Sequence, residues 1–288
     1  MSLKGVATET LRILNDGYFI APNGERLLLQ PALTQAIEGT RLFAPHQAAA
    51  LLDSPERGSG HWPNIEVTEE TTQAAARRLV ILESVSDLVL LNFASARNPG
   101  GGFINGAKAQ EEDLSRCSGL YPCLLTQPDY YDENRANESV LYTDNIIYSP
   151  DVPWFRTRSR EAPDVMFLAS VITAPAPNAG VALQRDPGSG PDIEVTLRRR
   201  AGMVLAVAAH HRHRNLLLGA WGCGVFRNTP SQVADAFGVW LASERFAGLF
   251  DRVVFAIYDK SPQRATLHAF EHRFSADSQG ARPDDGGV

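Results

Sequence analysis

The chain has 288 residues, 44% of them hydrophobic and 21% charged, an ordinary globular composition that excludes a disordered or fibrous protein. Its net charge of −6 sets it apart from proteins that grip nucleic acid through a broad basic face, so no direct nucleic-acid binding is expected. No apolar run approaches the roughly 20 residues of a membrane span, the first residues lack a signal-peptide apolar stretch, and Cys117, Cys123 and Cys223 lack the spacing of a disulfide framework or structural zinc, all pointing to a cytoplasmic protein without membrane contact.

Residues 1–80 read as an N-terminal helical accessory region. It has helical segments at 5–15 and 31–38, a surface loop at 55–60, and a helix at 68–79 with glutamates at its start and Arg77 and Arg78 near its end. The core is expected at 81–274. Four short apolar runs, at 87–94, 165–173, 216–221 and 252–258, suit strands buried on both faces. Helical patterns at 194–210, 231–243 and 263–272 lie between or after them, which indicates α/β architecture. Residues 275–288 are small and polar and are expected to be disordered.

Two basic clusters fall in or at the end of the helix at 194–210: Arg198 to Arg200, and His210, His211 and His213 with Arg212 and Arg214. A solvated helix end that complements the dipole accounts for them, with transient phosphate contact as the other reading. Three histidines crowded into four residues fit no closed metal site, and no metal or cofactor is expected.

Ligands of open α/β sheets gather outside the carboxyl ends of strands, and two glycine-rich segments fall there. Gly100, Gly101 and Gly102 follow the run at 87–94. Glycine lets backbone approach a ligand closely, and successive N–H groups can form an anion-binding concavity. No Gly-Lys-Ser/Thr follows, so this is no Walker loop. Seven residues on come Gln110, Glu111 and Glu112. Neighbouring acids commonly decorate a solvated helix N-terminus. From a helix start behind a glycine loop they can instead converge on one substrate, and crowding can keep one protonated as an acid.

The second segment, 219–228, reads GAWGCGVFRN and is followed by Thr229 as N-cap and Pro230 at the first helical position. A helix N-terminus behind a glycine turn is a natural phosphate site. Arg227 stands where a dinucleotide fingerprint needs glycine. The residues alone favour core positions for Trp221 and Phe226, and a small buried role for Cys223, which has no evident histidine partner nearby in sequence.

GGG, seven residues, then QEE resembles the signature of poly(ADP-ribose) glycohydrolases. The segments LNFASARNPGGGF (91–103), DYYDENR (129–135), LYTDNIIYSPDVPWFR (141–156) and ITAPAPNAG (172–180) resemble the bacterial branch. The resemblance implies a macrodomain-like three-layer α/β/α sandwich with an N-terminal helical extension. It implies an enzyme that hydrolyses the ribose–ribose O-glycosidic bonds of poly(ADP-ribose), releases ADP-ribose and reverses protein poly-ADP-ribosylation in the DNA damage response. The polymer and poly-ADP-ribosylated proteins are then its partners.

By the same resemblance Glu112 protonates the departing oxygen and then deprotonates water, and Glu111 holds ribose hydroxyls. Gln110 supports the loop, and Asn98 contacts the terminal ribose. Gly100, Gly101 and Gly102 bracket the diphosphate together with Gly222, Cys223 and Gly224, and Val225 continues this second loop. Phe226 packs over the terminal ribose and the catalytic loop. The alternatives are a mono-ADP-ribosyl-protein hydrolase and a non-catalytic ADP-ribose reader. Two acids buried beside a pyrophosphate are costly without a catalytic use, which speaks against the reader. The helix at 263–272 is a candidate wall over the terminal ribose, bearing on cleavage at chain ends or within chains.

Overall fold

The computed structural model describes residues 1–55, 58, 60–158, 161–164 and 166–275. Helix α1 (Leu3–Asp16) starts where the Ser2 hydroxyl accepts from the Gly5 N–H and stops at Gly17. A hairpin of β1 (Tyr18–Ile20) and β2 (Arg26–Leu28) follows, then α2 (Gln30–Gly39), β3 (Arg41–Phe43), α3 (Pro45–Leu52) and β4 (Asn64–Thr68). Helix α4 (Thr72–Arg77) opens on the Thr71 hydroxyl and runs into a π-helical turn, Arg78–Leu82. The helix expected at 68–79 therefore begins later than its pattern suggested, because Thr68 ends a strand.

The chain continues through β5 (Leu88–Phe93), α5 (Gln110–Cys117), α6 (Leu120–Leu125), α7 (Pro128–Ala136), β6 (Ile146–Trp154) and β7 (Phe167–Ala174). It closes with α8 (Ala179–Arg185), α9 (Gly190–His210), β8 (Asn215–Gly219), α10 (Pro230–Leu241), β9 (Arg252–Ala256) and α11 (Ala265–Phe274). The four apolar runs of the sequence are β5, β7, β8 and β9. Val165 of the second run, parts of the loop at 55–60 and residues 276–288 of the expected tail lie outside the described residues.

Seven strands form one sheet in the order β3-β6-β7-β5-β8-β9-β4. Residues 1–80 thus need correction as a purely helical accessory: they supply both edge strands. β3 pairs antiparallel with β6, and β4 parallel with β9. These edges escaped sequence reading because they are short and half exposed and carry polar residues such as Asn64 and Glu66. β6 escaped for another reason. Pro150 and Asp151 interrupt it, and its register with β7 shifts between Ser149 and Val152, so one bulged strand reads as a loop.

Alternation along the strands makes the layers. Val89, Leu91, Ile172, Leu216 and Val253 face α3, α9, α10 and α11. Leu88, Leu90, Val171, Leu217 and Val254 face α2, α4, α5, α6 and α7. Both faces are covered, as largely parallel sheets require, and the architecture is the expected α/β/α sandwich. A smaller cluster of Ile13, Phe19, Leu29, Leu33 and Phe155 joins α1, the hairpin and α2 to the core. Strands β7, β5, β8, β9 and β4 run parallel, so the turns after β5, β8, β9 and β4 meet at one end of the sheet.

The basic clusters are largely tied down. Arg199 and Arg200 both pair with Asp144, and Arg198 pairs with Glu194. His211 stacks on Tyr148 with ring centroids 3.6 Å apart, and burial holds its imidazole down at about 4. The expected solvated helix end therefore needs correction: Arg200 is fully buried in the middle of α9, and His211 and His213 are packed inward, because these side chains pair or stack within the fold. Among the described residues no group of three or more His, Cys, Asp or Glu side chains is arranged to hold a metal ion.

Candidate active site

α5 has no side-chain cap at Ala109, and its first turn carries Glu111, Glu112 and Asp113, where the helix dipole favours acids. Gln110 fixes this start to the sheet. Its Oε1 accepts from the Phe93 N–H at 2.8 Å, and its Nε2 donates to the Leu91 carbonyl at 2.8 Å and to Thr72 Oγ1 at 3.2 Å. One amide therefore ties α5 to the last turn of β5 and to α4.

Glu111 is buried against the end of β5. Its Oε1 accepts from Asn92 Nδ2 at 3.2 Å and its Oε2 from the Ser95 N–H at 2.6 Å. Asn92 also donates to Thr173 Oγ1 on β7 at 3.2 Å. Burial pushes the Glu111 carboxyl up to about 8, against the Ser95 and Asn92 hydrogen bonds and with the charge of Glu112 adding to the rise.

Glu112 is held from the other side, its Oε1 accepting from the Gly102 N–H at 2.9 Å. Gly101 has φ +58°, and a β-carbon there would lie 2.4 Å from Glu112 Oε1 and 3.4 Å from Glu111 Oε2. Two successive carboxylates thus converge on one glycine, as a helix start permits and a regular helix face does not.

The first glycine loop differs from expectation in one respect. The Gly101 N–H donates to the Asn98 carbonyl at 3.0 Å, and the Gly102 N–H to Glu112, so these groups are used within the protein. Gly100 is buried behind the loop, where a β-carbon would meet Phe103, Ser115 and Tyr121. The loop shapes the acid's seat and does not cradle an anion through these N–H groups. Ser95 Oγ, accepting from the N–H groups of Arg97 and Asn98, sets its first turn.

The second loop supplies what the first does not. Gly222 has φ +72°, and its tight turn is closed by Asn228, whose Nδ2 donates to the carbonyls of Pro177 at 2.8 Å and Gly222 at 3.1 Å. Among the described residues, the N–H groups of Gly224, Val225 and Phe226 have no protein acceptor. Thr229 is the N-cap of α10 and Pro230 its first residue, but the Thr229 hydroxyl makes no capping bond. Trp221 is core and donates its indole N–H to the Ala174 carbonyl at 3.0 Å. Phe226 is half-buried, its ring centroid 5.7 Å from that of Tyr142. Burial pushes the Cys223 thiol up to about 12, which suits a packing residue and not a nucleophile.

One cavity of about 1040 Å³ joins the two loops, at the upper end of the ~300–1,000 Å³ usual for ligand pockets. Asn98, Gly101, Gly102, Gln110, Glu111 and Glu112 line one side, and Gly222 through Phe226 line another. Of the catalytic and substrate-binding residues expected from the sequence, Gly100 alone is absent from the lining. Sequence reasoning missed Thr71, Thr72 and Gln73 at the start of α4, and Tyr258 and Asp259 after β9. It also missed Asn92, whose signal was a polar residue inside an apolar strand.

An α/β/α sandwich holding two convergent buried carboxylates over a cavity of this size suits a hydrolase of glycosidic bonds, which such acids can serve. Residues 7–157 match the sequence profile of the microbial-type PARG catalytic domain. The chain is similar to the poly(ADP-ribose) glycohydrolase of Thermomonospora curvata, with 44% identity, a TM-score of 0.88, and coverage of 94% of this chain and 99% of that one. The same Thermomonospora protein bound to the inhibitor ADP-HPD matches with 45% identity and a TM-score of 0.87, covering 94% of this chain and 99% of that one. The Deinococcus radiodurans poly(ADP-ribose) glycohydrolase in complex with ADP-ribose matches with 50% identity and a TM-score of 0.78, covering 84% of this chain and 96% of that one. A comparison with curated protein sequences gives no match. The chain belongs to the microbial-type poly(ADP-ribose) glycohydrolases.

Proposed function

We propose that Glu112 is the acid with which this chain hydrolyses the ribose–ribose O-glycosidic bonds of poly(ADP-ribose) and releases ADP-ribose. The observation that carries the assignment is the convergence of Glu111 and Glu112 on Gly101 within the cavity. Burial keeps the Glu111 carboxyl near 8, so Glu111 holds a proton at neutral pH. With substrate bound, Glu112 gives a proton to the 2′-oxygen of the departing ribose as its bond to the anomeric carbon breaks. Water then adds to the oxocarbenium-like centre and returns a proton to Glu112.

Glu111 and Asn98 hold the terminal ribose, and Phe226 packs over it. The N–H groups of Gly224, Val225 and Phe226 receive the diphosphate, which lets an acidic protein bind a pyrophosphate without a broad basic surface. Poly-ADP-ribosylated proteins are the substrates. We place the reaction in the cytoplasm on composition and cysteine usage, and within the DNA damage response as the family resemblance implies. Among the described residues no helix is long and apolar enough to cross a membrane.

The test is incubation of wild type and Glu112→Ala with automodified poly-ADP-ribosylated protein, with products resolved by chromatography. ADP-ribose release by the wild type alone, with ADP-ribose binding retained in the variant, is the expected result. Near-wild-type turnover by Glu112→Ala would remove the acid from this residue.

A further inference from the structure

The chain contains only three lysines, Lys4, Lys108 and Lys260. Lys260 pairs with Glu69 at 3.3 Å. Lys4 and Lys108 have no acidic partner among the described residues, unlike most of the arginines described above. Both lie on the same side of the active site. Lys108 lines the cavity together with Glu112, and Leu3 at the start of α1 lines it as well. A β-carbon on Gly106, two residues before Lys108, would lie 3.3 Å from the Lys4 backbone nitrogen and 3.7 Å from its Cβ, so the backbones that carry the two lysines are adjacent. Arg158 adds a third cation to the lining. Its pair with Glu161, 3.4 Å long and with both side chains at least half exposed, does little to hold it away from a stronger anion.

The loop proposed to receive the diphosphate of the unit being released offers backbone N–H groups at 224–226, whereas these residues are cationic side chains far from it in sequence. Lys108 lies beside the acid, with Lys4 adjacent to its loop and Arg158 on the lining of the same cavity. Ala107, next to Lys108, is the neighbour that a β-carbon on Gly102 would meet at 2.8 Å, and Gly102 is the donor that holds Glu112. Glu112, as the proton donor, must face the oxygen that departs with the rest of the polymer. The next diphosphate along the chain leaves on that side, exposed to solvent, where amide groups alone bind weakly and mobile cations are the suited partner.

We infer that Lys4, Lys108 and Arg158 form a cationic rim that binds the diphosphate of the ADP-ribose unit on the leaving-group side of the scissile bond. The inference rests on Glu112 being the acid. The rim gives a protein of net charge −6 a local landing site for a polyanion, and it distinguishes the polymer from free ADP-ribose.

The test compares wild type with Lys4→Ala/Lys108→Ala/Arg158→Ala. The control, Arg12→Ala/Arg26→Ala/Arg185→Ala, removes the same charge elsewhere on the surface. Steady-state hydrolysis of poly(ADP-ribose) is followed from about 50 to 300 mM salt, and ADP-ribose affinity is measured by calorimetry. The rim variant is expected to raise KM for polymer about 5–10-fold at low salt, with the gap closing as salt rises, since phosphate contacts are salt-dependent. Its kcat and ADP-ribose affinity stay within about twofold of wild type, as all three parameters do in the control. An unchanged polymer KM overturns the proposal. So does an equal loss of ADP-ribose affinity, which assigns the cations to the released unit. Polymer affinity is also measured with both charge variants built on Glu112→Ala, so the rim is judged even if wild-type turnover fails and the acid assignment with it.

Discussion

Gly102 donates its backbone N–H to Glu112 Oε1 at 2.9 Å, and Gly101 beside it leaves the space that this carboxylate fills. The glycine triplet therefore acts on the acid as much as on the ligand. A residue with a side chain at 101 meets the carboxylate before any substrate arrives.

Gly101→Ala tests this directly. The left-handed backbone at φ +58° costs alanine ~1–2 kcal/mol. The larger effect is displacement, since the new methyl carbon would start 2.4 Å from Glu112 Oε1. A catalytic group moved by about 1 Å costs roughly 10²-fold in rate. We expect kcat to fall by about that factor, with ADP-ribose affinity changed much less and the melting temperature lowered modestly. Unaltered kcat in steady-state assays would separate Gly101 from the acid's position.

Glu111 makes stability depend on pH with a definite sign. Its folded-state value of about 8 lies above its ordinary 4.5, so the folded protein binds this proton more tightly than the unfolded chain does. The benefit is complete below about 4.5 and is lost as pH rises through 8. Each unit of the difference is worth ~1.4 kcal/mol, so the total is on the order of a few kcal/mol. Glu111→Gln keeps a neutral side chain at every pH. Wild type should melt progressively lower than Glu111→Gln as pH rises from 5 to 8, with no further divergence above about 9. Wild-type kcat/KM should also fall on an alkaline limb near 8 as Glu111, beside the acid, loses its proton. A melting difference independent of pH would mean that Glu111 is ionised in the folded protein.

The legible and illegible parts of this molecule divide along physical lines. β5, β7, β8 and β9 were visible because strands buried on both faces are continuous apolar runs ended by turn formers. β3 and β4 were not, because edge strands half exposed to water carry no such run. Glu111 and Glu112 were visible through spacing from the glycines, yet their convergence depends on the φ of Gly101, which sequence alone does not state. Gly100 was misplaced among ligand-facing residues because three adjacent glycines look alike in sequence. Only the fold shows that the first packs inward against Phe103, Ser115 and Tyr121. The residues at the start of α4 and after β9 reach the cavity from sequence positions far from either glycine segment, so local pattern could not assemble them.

Gln110 is predicted to be a positioning residue. Gln110→Ala leaves the Phe93 N–H and the Leu91 carbonyl without their partner, at ~1–3 kcal/mol for each group that water cannot reach. It also frees the start of α5 from β5 and α4. We expect a clear loss in melting temperature together with a fall in kcat larger than any change in KM. Gln110→Glu preserves the acceptor for Phe93 but sets a carboxylate oxygen against the Leu91 carbonyl. It should therefore be less stable at pH 8 than at pH 5. Equal stability of both variants to wild type would show that the amide bridge does not hold the helix.

The two glycines of the second loop should respond in opposite ways. A β-carbon on Gly222 would lie 2.4 Å from the Ala176 Cβ and 2.4 Å from Asn228 Nδ2, at φ +72°. Gly222→Ala must move Asn228, whose bonds to Pro177 and Gly222 close the turn, and with it the N–H groups at 224–226. Losing hydrogen bonds to a charged diphosphate costs ~1.5–3 kcal/mol, so ADP-ribose affinity should weaken about 10–100-fold. A β-carbon on Gly224 meets nothing within 4 Å, and its φ is not in the left-handed range. Gly224→Ala should therefore bind ADP-ribose within a few-fold of wild type unless the ligand itself occupies that space. Calorimetry of both variants reads the distinction. A large loss in Gly224→Ala would mean that the diphosphate backbone packs directly on this residue. Equal, small losses in both would move the diphosphate away from the loop altogether.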